Sequence, residues 1–150
     1  MKVKDLMSKN VLTVSPEDKV DRVFFLFNFE NIRHMPVLEK GKLVGILSDR
    51  DLKKVLGPAK KFLERADGSS VTISARKVRT IMKRGLITIG PEQRAADAAA
   101  IMAKRKIGAL PVLQKDKLVG IITATDILRA FVKLMNDIEN VVGKPAQSSS

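Results

Sequence analysis

The chain is predicted to be an α/β (α+β) protein made of two pseudo-symmetric β-α-β-β-α repeats, and three observations lead there. Residues 3–54 overlay on residues 78–129 at a constant offset of 75 with no gap, and 16 of the 52 pairs are identical. Met7 falls on Met82, Pro16 on Pro91, Pro36 on Pro111, Gly45 on Gly120 and Asp51 on Asp126. So dense a match in one register marks a duplicated module. Both copies also pass through the same local signals in the same order. Finally, 150 residues with 45% hydrophobic content can bury one ordinary core. The two copies are therefore expected to share a compact domain, with their sheets packed together.

Each repeat opens with a β-rich run, Val11–Val14 or Leu86–Ile89. Ser15-Pro16-Glu17-Asp18 or Gly90-Pro91-Glu92-Gln93 follows. An N-cap residue, a proline and an acidic first turn predict a helix start there. In the first copy the helix is expected over about Pro16 to Glu30, with Val20, Val23, Phe24 and Phe27 at helical spacing; in the second, Ala95–Met102 is alanine-rich. Two strands come next, Met35–Leu38 with Leu43–Leu47 and Leu110–Leu113 with Leu118–Ile122, around short polar turns that read as hairpins. A second helix closes each copy, over Arg50 to about Leu56 and Thr125 to about Val142. The expected domains are residues 1–56 for repeat 1, 57–76 for a basic connector, 77–142 for repeat 2 with its C-terminal helix, and 143–150 for a disordered tail. Within the connector, Gly57-Pro58 should stop a helix, 59–66 could form a short basic helix, and 67–70 reads as a turn.

Composition removes several function classes. With no cysteine and one histidine, disulfides, thiolate metal sites and His-dependent triads have no material, so neither catalysis nor an intrinsic metal is expected. No apolar run reaches the length of a membrane span and the start lacks a signal-peptide pattern, which sets the expected location as cytoplasmic. The net charge is +12. Between Arg50 and Arg84, eleven basic residues face three acidic ones, so the surplus gathers around the repeat junction and favours anionic partners.

Chemistry gathers at two equivalent strand-to-helix passages, Gly45-Ile46-Leu47-Ser48-Asp49-Arg50-Asp51 and Gly120-Ile121-Ile122-Thr123-Ala124-Thr125-Asp126. A hydroxyl three residues before a carboxylate sets acceptors at a helix start, beside unpaired N–H groups and the positive dipole end. A carboxylate can accept from both hydroxyls of a ribose, while N–H groups and a cation such as Arg50 hold a phosphate. The same spacing is also a capping box with no ligand, and the two uses can coexist.

The order V-x-x-L-M / V-x-x-I-M, T-V-S-P / T-I-G-P, R-H-M-P-V / G-A-L-P-V, L-V-G-I, then S-x-x-D / T-x-x-D resembles a tandem pair of cystathionine-β-synthase-type (CBS) domains, a Bateman module, over about Val3 to Val132. The S-D-R-D-L run is similar to acetoin-utilisation-type CBS proteins. The resemblance implies a regulatory module that binds an adenosine nucleotide (AMP, ADP or ATP) or a related adenosyl ligand in two clefts and acts on a partner protein. Carried over by position, one cleft would use Thr123 and Asp126 with Asn10, Val11, Leu12, Arg33, His34, Met35 and Pro36. The other would use Ser48, Arg50 and Asp51 with Gly85, Leu86, Ile87, Gly108, Ala109, Leu110 and Pro111, and lies nearer Lys83 and Arg84. Arg33 is the better phosphate candidate, because it stays charged and can bind bidentately; His34 also reads as an ordinary strand-edge histidine.

Four of the six phenylalanines lie in Phe24–Phe29. Phe24 and Phe27 are expected in the core, whereas Phe25 and Phe29 form an exposed patch that suggests a homodimer interface. The alternatives are a nucleic-acid-binding protein using the basic junction 50–84, which would have to work through phosphate contacts without tyrosine or tryptophan, and a structural dimer with empty clefts.

Overall fold

A computed structural model of the chain describes residues 1–56 and 76–148. The elements are α1 (Val3–Leu6), α2 (Val20–Glu30), β1 (His34–Glu39), β2 (Lys42–Ser48), α3 (Asp49–Leu56), a 3-10 turn (Val78–Thr80), α4 (Ala95–Arg105), β3 (Ala109–Gln114), β4 (Lys117–Thr123) and α5 (Ala124–Ser148). β1 and β2 pair antiparallel, with an irregularity between Val37 and Leu38, and β3 and β4 form the second two-stranded sheet. The expected connector falls outside the described residues except for Arg76.

The β-α-β-β-α order holds in both copies, with one reduction. The first strand of each shrinks to a single parallel bridge, Val14 with Val37 and Ile89 with Val112. Val14 N–H donates to Pro36 O at 3.1 Å and Leu38 N–H to Val14 O at 2.8 Å; Ile89 and residues 111 and 113 repeat this.

The helix start expected at Pro16 is displaced to Val20. Residues 15–18 close a turn of their own, Ser15 N–H donating to Asp18 Oδ2 at 2.8 Å and Asp18 N–H to Ser15 O at 3.0 Å. The backbone then stays extended through Lys19 (ψ 144°) because another segment claims it. Val20 N–H donates to Arg76 O at 2.9 Å, Val78 N–H to Asp18 O at 2.8 Å and Arg79 N–H to Pro16 O at 3.0 Å. The second copy repeats the pattern: Ala95 N–H donates to Met1 O at 3.0 Å, Val3 N–H to Gln93 O at 2.8 Å and Lys4 N–H to Pro91 O at 3.0 Å.

Each repeat thus lends its leading segment to the other. The chain divides into two compact units, one of residues 1–9, 88–114 and 119–150, the other of residues 10–87 and 115–118. Each repeat body is closed by the other repeat's leader. In the unit of residues 10–87, Val78 and Met82 of the leader join Val14, Val20, Val23, Phe27, Met35, Val37, Leu47 and Leu52. In the other, Val3 is buried, as are Ile89, Ala98, Met102, Leu110, Val112 and Ile122. Ion pairs fasten both leaders at equivalent places. Lys2 and Lys4 reach Glu92 at 2.7 and 2.8 Å, while Lys77 and Arg79 reach Glu17. Hydrogen bonds from Lys2 and Lys4 hold the Glu92 carboxyl at a pKa of about 2.

The leaders end against the glycines of the L-V-G-I runs. Ile46 and Lys83 exchange two backbone hydrogen bonds of 3.0 Å, and Ser8 and Ile121 exchange bonds of 2.9 and 3.0 Å. So close an approach requires the missing side chain. A Cβ on Gly45 would lie 2.7 Å from Met82 Sδ and 3.1 Å from Lys83 O, and one on Gly120 would lie 2.6 Å from Met7 Sδ and 2.8 Å from Ser8 O.

α2 buries Val20, Val23 and Phe27, packs Phe24 partly against the core, and leaves Phe25 and Phe29 exposed, as its pattern predicts. It ends on Asn31 in the left-handed region (φ 53°), whose backbone N–H returns to Phe27 O. α5 continues past the helix end expected near Val142, through Gly143 and Pro145 to Ser148, so most of the expected disordered tail is helical. No helix among the described residues is long and apolar enough to cross a membrane.

Gly120→Ala is expected to destabilise more than Gly45→Ala, because the main-chain oxygen its Cβ would meet, Ser8 O at 2.8 Å, is closer than Lys83 O at 3.1 Å at Gly45, and neither can rotate away. Urea unfolding should show losses of about 1–3 kcal/mol for the former, in the range of overpacked cores.

Candidate functional site

Both Ser/Thr-x-x-Asp motifs cap their helices. At α3, Ser48 N–H donates to Asp51 Oδ2 at 3.1 Å and Asp51 N–H donates to Ser48 Oγ at 3.1 Å. At α5, Thr123 N–H donates to Asp126 Oδ2 at 2.9 Å, the Thr123 hydroxyl donates to the same oxygen at 3.0 Å, and Asp126 N–H donates to Thr123 Oγ1 at 3.3 Å. The capping reading is therefore realised twice. In both, the box hydrogen bonds fall on Oδ2 and leave Oδ1 outside the box. Asp51 is only 8% exposed and is the single buried charged residue among those described; its Oδ1 lies 3.7 Å from Lys83 Nζ.

The backbone gathers further residues around each box. Asp49 N–H donates to Arg33 O at 2.9 Å, tying the pre-strand residues 33–34 to the start of α3; Ala124 N–H donates to Gly108 O at 2.9 Å and does the same for 108–109 at α5. Lys83 reaches Asp51 through the bridge to Ile46. Just beyond, Leu86 N–H folds back to Arg84 O at 2.8 Å, so residues 84–86 turn sharply.

Of the sequence-predicted residues, Ser48, Arg50, Asp51, Gly85, Leu86 and Ile87 fall in one unit, together with Asn10, Val11, Leu12, Arg33, His34, Met35 and Pro36. Thr123 and Asp126 belong to the other unit with Gly108, Ala109, Leu110 and Pro111. The hydrogen bonds thus bring 33 beside the Ser48–Asp51 box and 108 beside the Thr123–Asp126 box, each within its own repeat. Met35, Pro36, Ala109, Leu110 and Pro111 are buried, while Arg33, Arg50, Gly85, Asn10 and Leu12 are exposed. Sequence reasoning left Lys83 and Asp49 out of the binding set. The signal for Lys83 was the glycine in L-V-G-I, a gap in the side chains of β2 through which a neighbouring backbone passes.

Electrostatics divides the two boxes. Around Asp51 its own unit supplies Arg33, Lys83 and the neighbouring Arg50 and Arg84. The places equivalent to Arg33, His34, Lys83 and Arg84 hold Gly108, Ala109, Ser8 and Lys9 in the other unit. His34 adds little positive charge at neutral pH. Burial pushes its pKa below the ordinary 6.5, the Asp49 and Asp51 carboxylates oppose that, and Arg33 and Lys83 reinforce it. Among the described residues no group of three or more metal-ligating side chains could hold an ion.

His34 makes stability pH-dependent. With the folded pKa lowered, the unfolded chain takes up the proton first, so stability is full above 6.5 and falls as pH drops from there toward the folded value. The urea midpoint is expected to decline between about pH 7 and 5.5, the range in which an unperturbed histidine titrates, and His34→Gln should flatten that slope.

The family model described as "CBS domain" matches twice, over residues 3–58 and 78–133. A CBS domain-containing protein of Dictyostelium discoideum is 33% identical over 139 residues, covering 91% of this chain and 94% of its own. Other relatives, from Methanocaldococcus jannaschii, are longer, and the chain spans 32% and 46% of two of them. Among solved structures, a CBS-domain pair in complex with 5′-methylthioadenosine and S-adenosyl-L-methionine superposes with a TM-score of 0.74 at 29% identity, covering 89% of this chain and 97% of that one. A candidate acetoin-utilization protein from Vibrio cholerae gives a TM-score of 0.75 at 30% identity, covering 93% and 96%.

Proposed function

Because the chain belongs to the CBS-domain family, with one domain in each repeat, we propose that it is a regulatory module that binds an adenosine nucleotide or related adenosyl ligand and, in response, alters its contacts with a partner protein. The reading assigns it no catalysis of its own. The observation that carries it is Asp51. A buried carboxylate with one oxygen committed to a cap and the other beside Lys83 is already desolvated and oriented. It can accept from a ribose diol while Lys83 swings toward phosphate. The planar guanidinium forks of Arg33 and Arg50 suit a phosphate group. Asp126 is the equivalent ribose acceptor, and its unit offers Ser8 and Gly108 where the first offers Lys83 and Arg33. The Asp51 box therefore takes the more highly phosphorylated ligand, and the Asp126 box an adenosyl ligand of lower negative charge. The aliphatic residues Val11, Leu12, Leu86 and Ile87 supply walls for adenine.

A thermal-shift panel with AMP, ADP, ATP, NADH and S-adenosylmethionine tests this, since a ligand that binds only the folded state raises the melting temperature. Asp51→Asn is the discriminating variant. An asparagine oxygen still accepts from Ser48 N–H and keeps the cap, but it cannot accept from two ribose hydroxyls. The expected result is a melting temperature close to wild type with the nucleotide shift lost. A shift of unchanged size in both Asp51→Asn and Asp126→Asn would overturn the reading. No shift with any ligand, together with DNA or RNA binding that weakens steeply with salt, would favour nucleic acid at the basic residues instead.

The module is also proposed to work as a homodimer through α2, where Phe25 and Phe29 are 58% and 88% exposed. Light scattering at micromolar concentration should report more than one copy, with Phe29→Ser lowering the mass while a cooperative melting transition is retained.

A further inference from the structure

Lys83 and Ser8 hold the same place in two settings. Lys83 exchanges two backbone hydrogen bonds of 3.0 Å with Ile46, and Ser8 exchanges bonds of 2.9 and 3.0 Å with Ile121, so each is fastened beside the strand that leads into its box. The residue before each, Met82 or Met7, lies against the glycine of that strand. The main chain is held alike at both places, and the side chains differ in what they offer. Lys83 Nζ lies 3.7 Å from Asp51 Oδ1, the oxygen that the cap leaves outside. The ammonium is free to leave: the Lys83 side chain is 65% exposed, against 9% for Asp51. Ser8 brings no charge, and among the described residues no cation pairs with Asp126.

A ribose diol that takes Asp51 Oδ1 therefore competes with an internal cation. An uncharged nucleoside displaces the ammonium and gives it nothing in return, whereas a nucleoside phosphate carries an anion to which the ammonium can turn. Resting on the adenosyl-ligand reading above, we propose that Lys83 is a specificity-determining residue, which closes the Asp51 box to unphosphorylated adenosyl ligands and opens it to those that bring a phosphate. The selection works by exclusion as well as attraction. Arg33 and Arg84 add attraction, but neither pairs with Asp51, so the exclusion falls to Lys83. The Asp126 box has no such gate and accepts the nucleoside without displacing a cation.

AMP and adenosine differ only in the phosphate, which makes the ratio of their affinities the readout. In calorimetry on the full chain, Asp126→Asn leaves the Asp51 box as the one intact ribose acceptor. Adding Lys83→Gln to that background should weaken AMP and tighten adenosine, shrinking the ratio by about tenfold or more, the scale of one charged hydrogen bond. Ser8→Lys in an Asp51→Asn background should widen the ratio at the Asp126 box, and it keeps the test open if Lys83→Gln does not melt cooperatively. Adenosine affinity unchanged or lowered by Lys83→Gln while AMP weakens would make Lys83 a phosphate contact only and overturn the proposal. A ratio that Ser8→Lys leaves unaltered would overturn it as well. Both results leave the adenosyl-ligand reading standing, whereas failure of the chain with both aspartates intact to bind either AMP or adenosine would overturn that reading and the proposal with it.

Discussion

The reciprocal loan of the leading segments is the constraint on which the rest of the molecule depends. Residues 76–79 bond to the backbone of 16–20, and residues 1–4 bond to that of 91–95, in the same geometry. These bonds hold α2 and α4 back to Val20 and Ala95, because the N–H and C=O groups that would start each helix earlier already have partners. The leaders also complete the cores. Val78 and Val3 are both fully buried, each worth about 1.5–3 kcal/mol of apolar transfer, so each leader adds to the stability of the other repeat's body.

The candidate site follows from the same arrangement. Gly45 and Gly120 lack side chains because a methionine and a backbone carbonyl from the leader occupy that space. The passage of the leader beside β2 sets Lys83 against Asp51. In turn, Asp51 combines two roles that sequence spacing leaves undivided: one oxygen satisfies the helix start and the other is left for an outside donor. A cap of this sort is worth about 1 kcal/mol, which gives the carboxylate a fixed orientation before any ligand arrives. Burial of His34 next to it keeps the imidazole neutral at physiological pH, so the positive charge at this end of the unit rests with arginine and lysine.

Much of this was legible in the residues. The offset of 75 yielded the repeat, the hairpins and the second helices, and the S-x-x-D and T-x-x-D spacing gave both caps. The phenylalanine run divided correctly, with Phe27 buried and Phe29 outside. What escaped were features that depend on contacts distant in sequence. Ser15-Pro16-Glu17-Asp18 looks like a helix start on local grounds and becomes a separate turn because residues 76–79 compete for the backbone that follows. Val11–Val14 has strand composition, yet only Val14 finds a partner along β1. The glycines of L-V-G-I leave room for a close approach, and what approaches is a methionine and main chain of the leader, far away in sequence.

The crossing of the leaders also bears on how such a chain can arise. A single ancestral repeat of this design would have had an orphan leader at one end and an unfilled groove on its body. Two such molecules could satisfy each other only by exchanging leaders, as a swapped homodimer. Joining them head to tail, through a tether such as residues 57–75, turns that intermolecular exchange into an intramolecular one and frees each half to diverge. Arg33 stands against Gly108 and Lys83 against Ser8, so the two halves differ in charge at equivalent places of one scaffold.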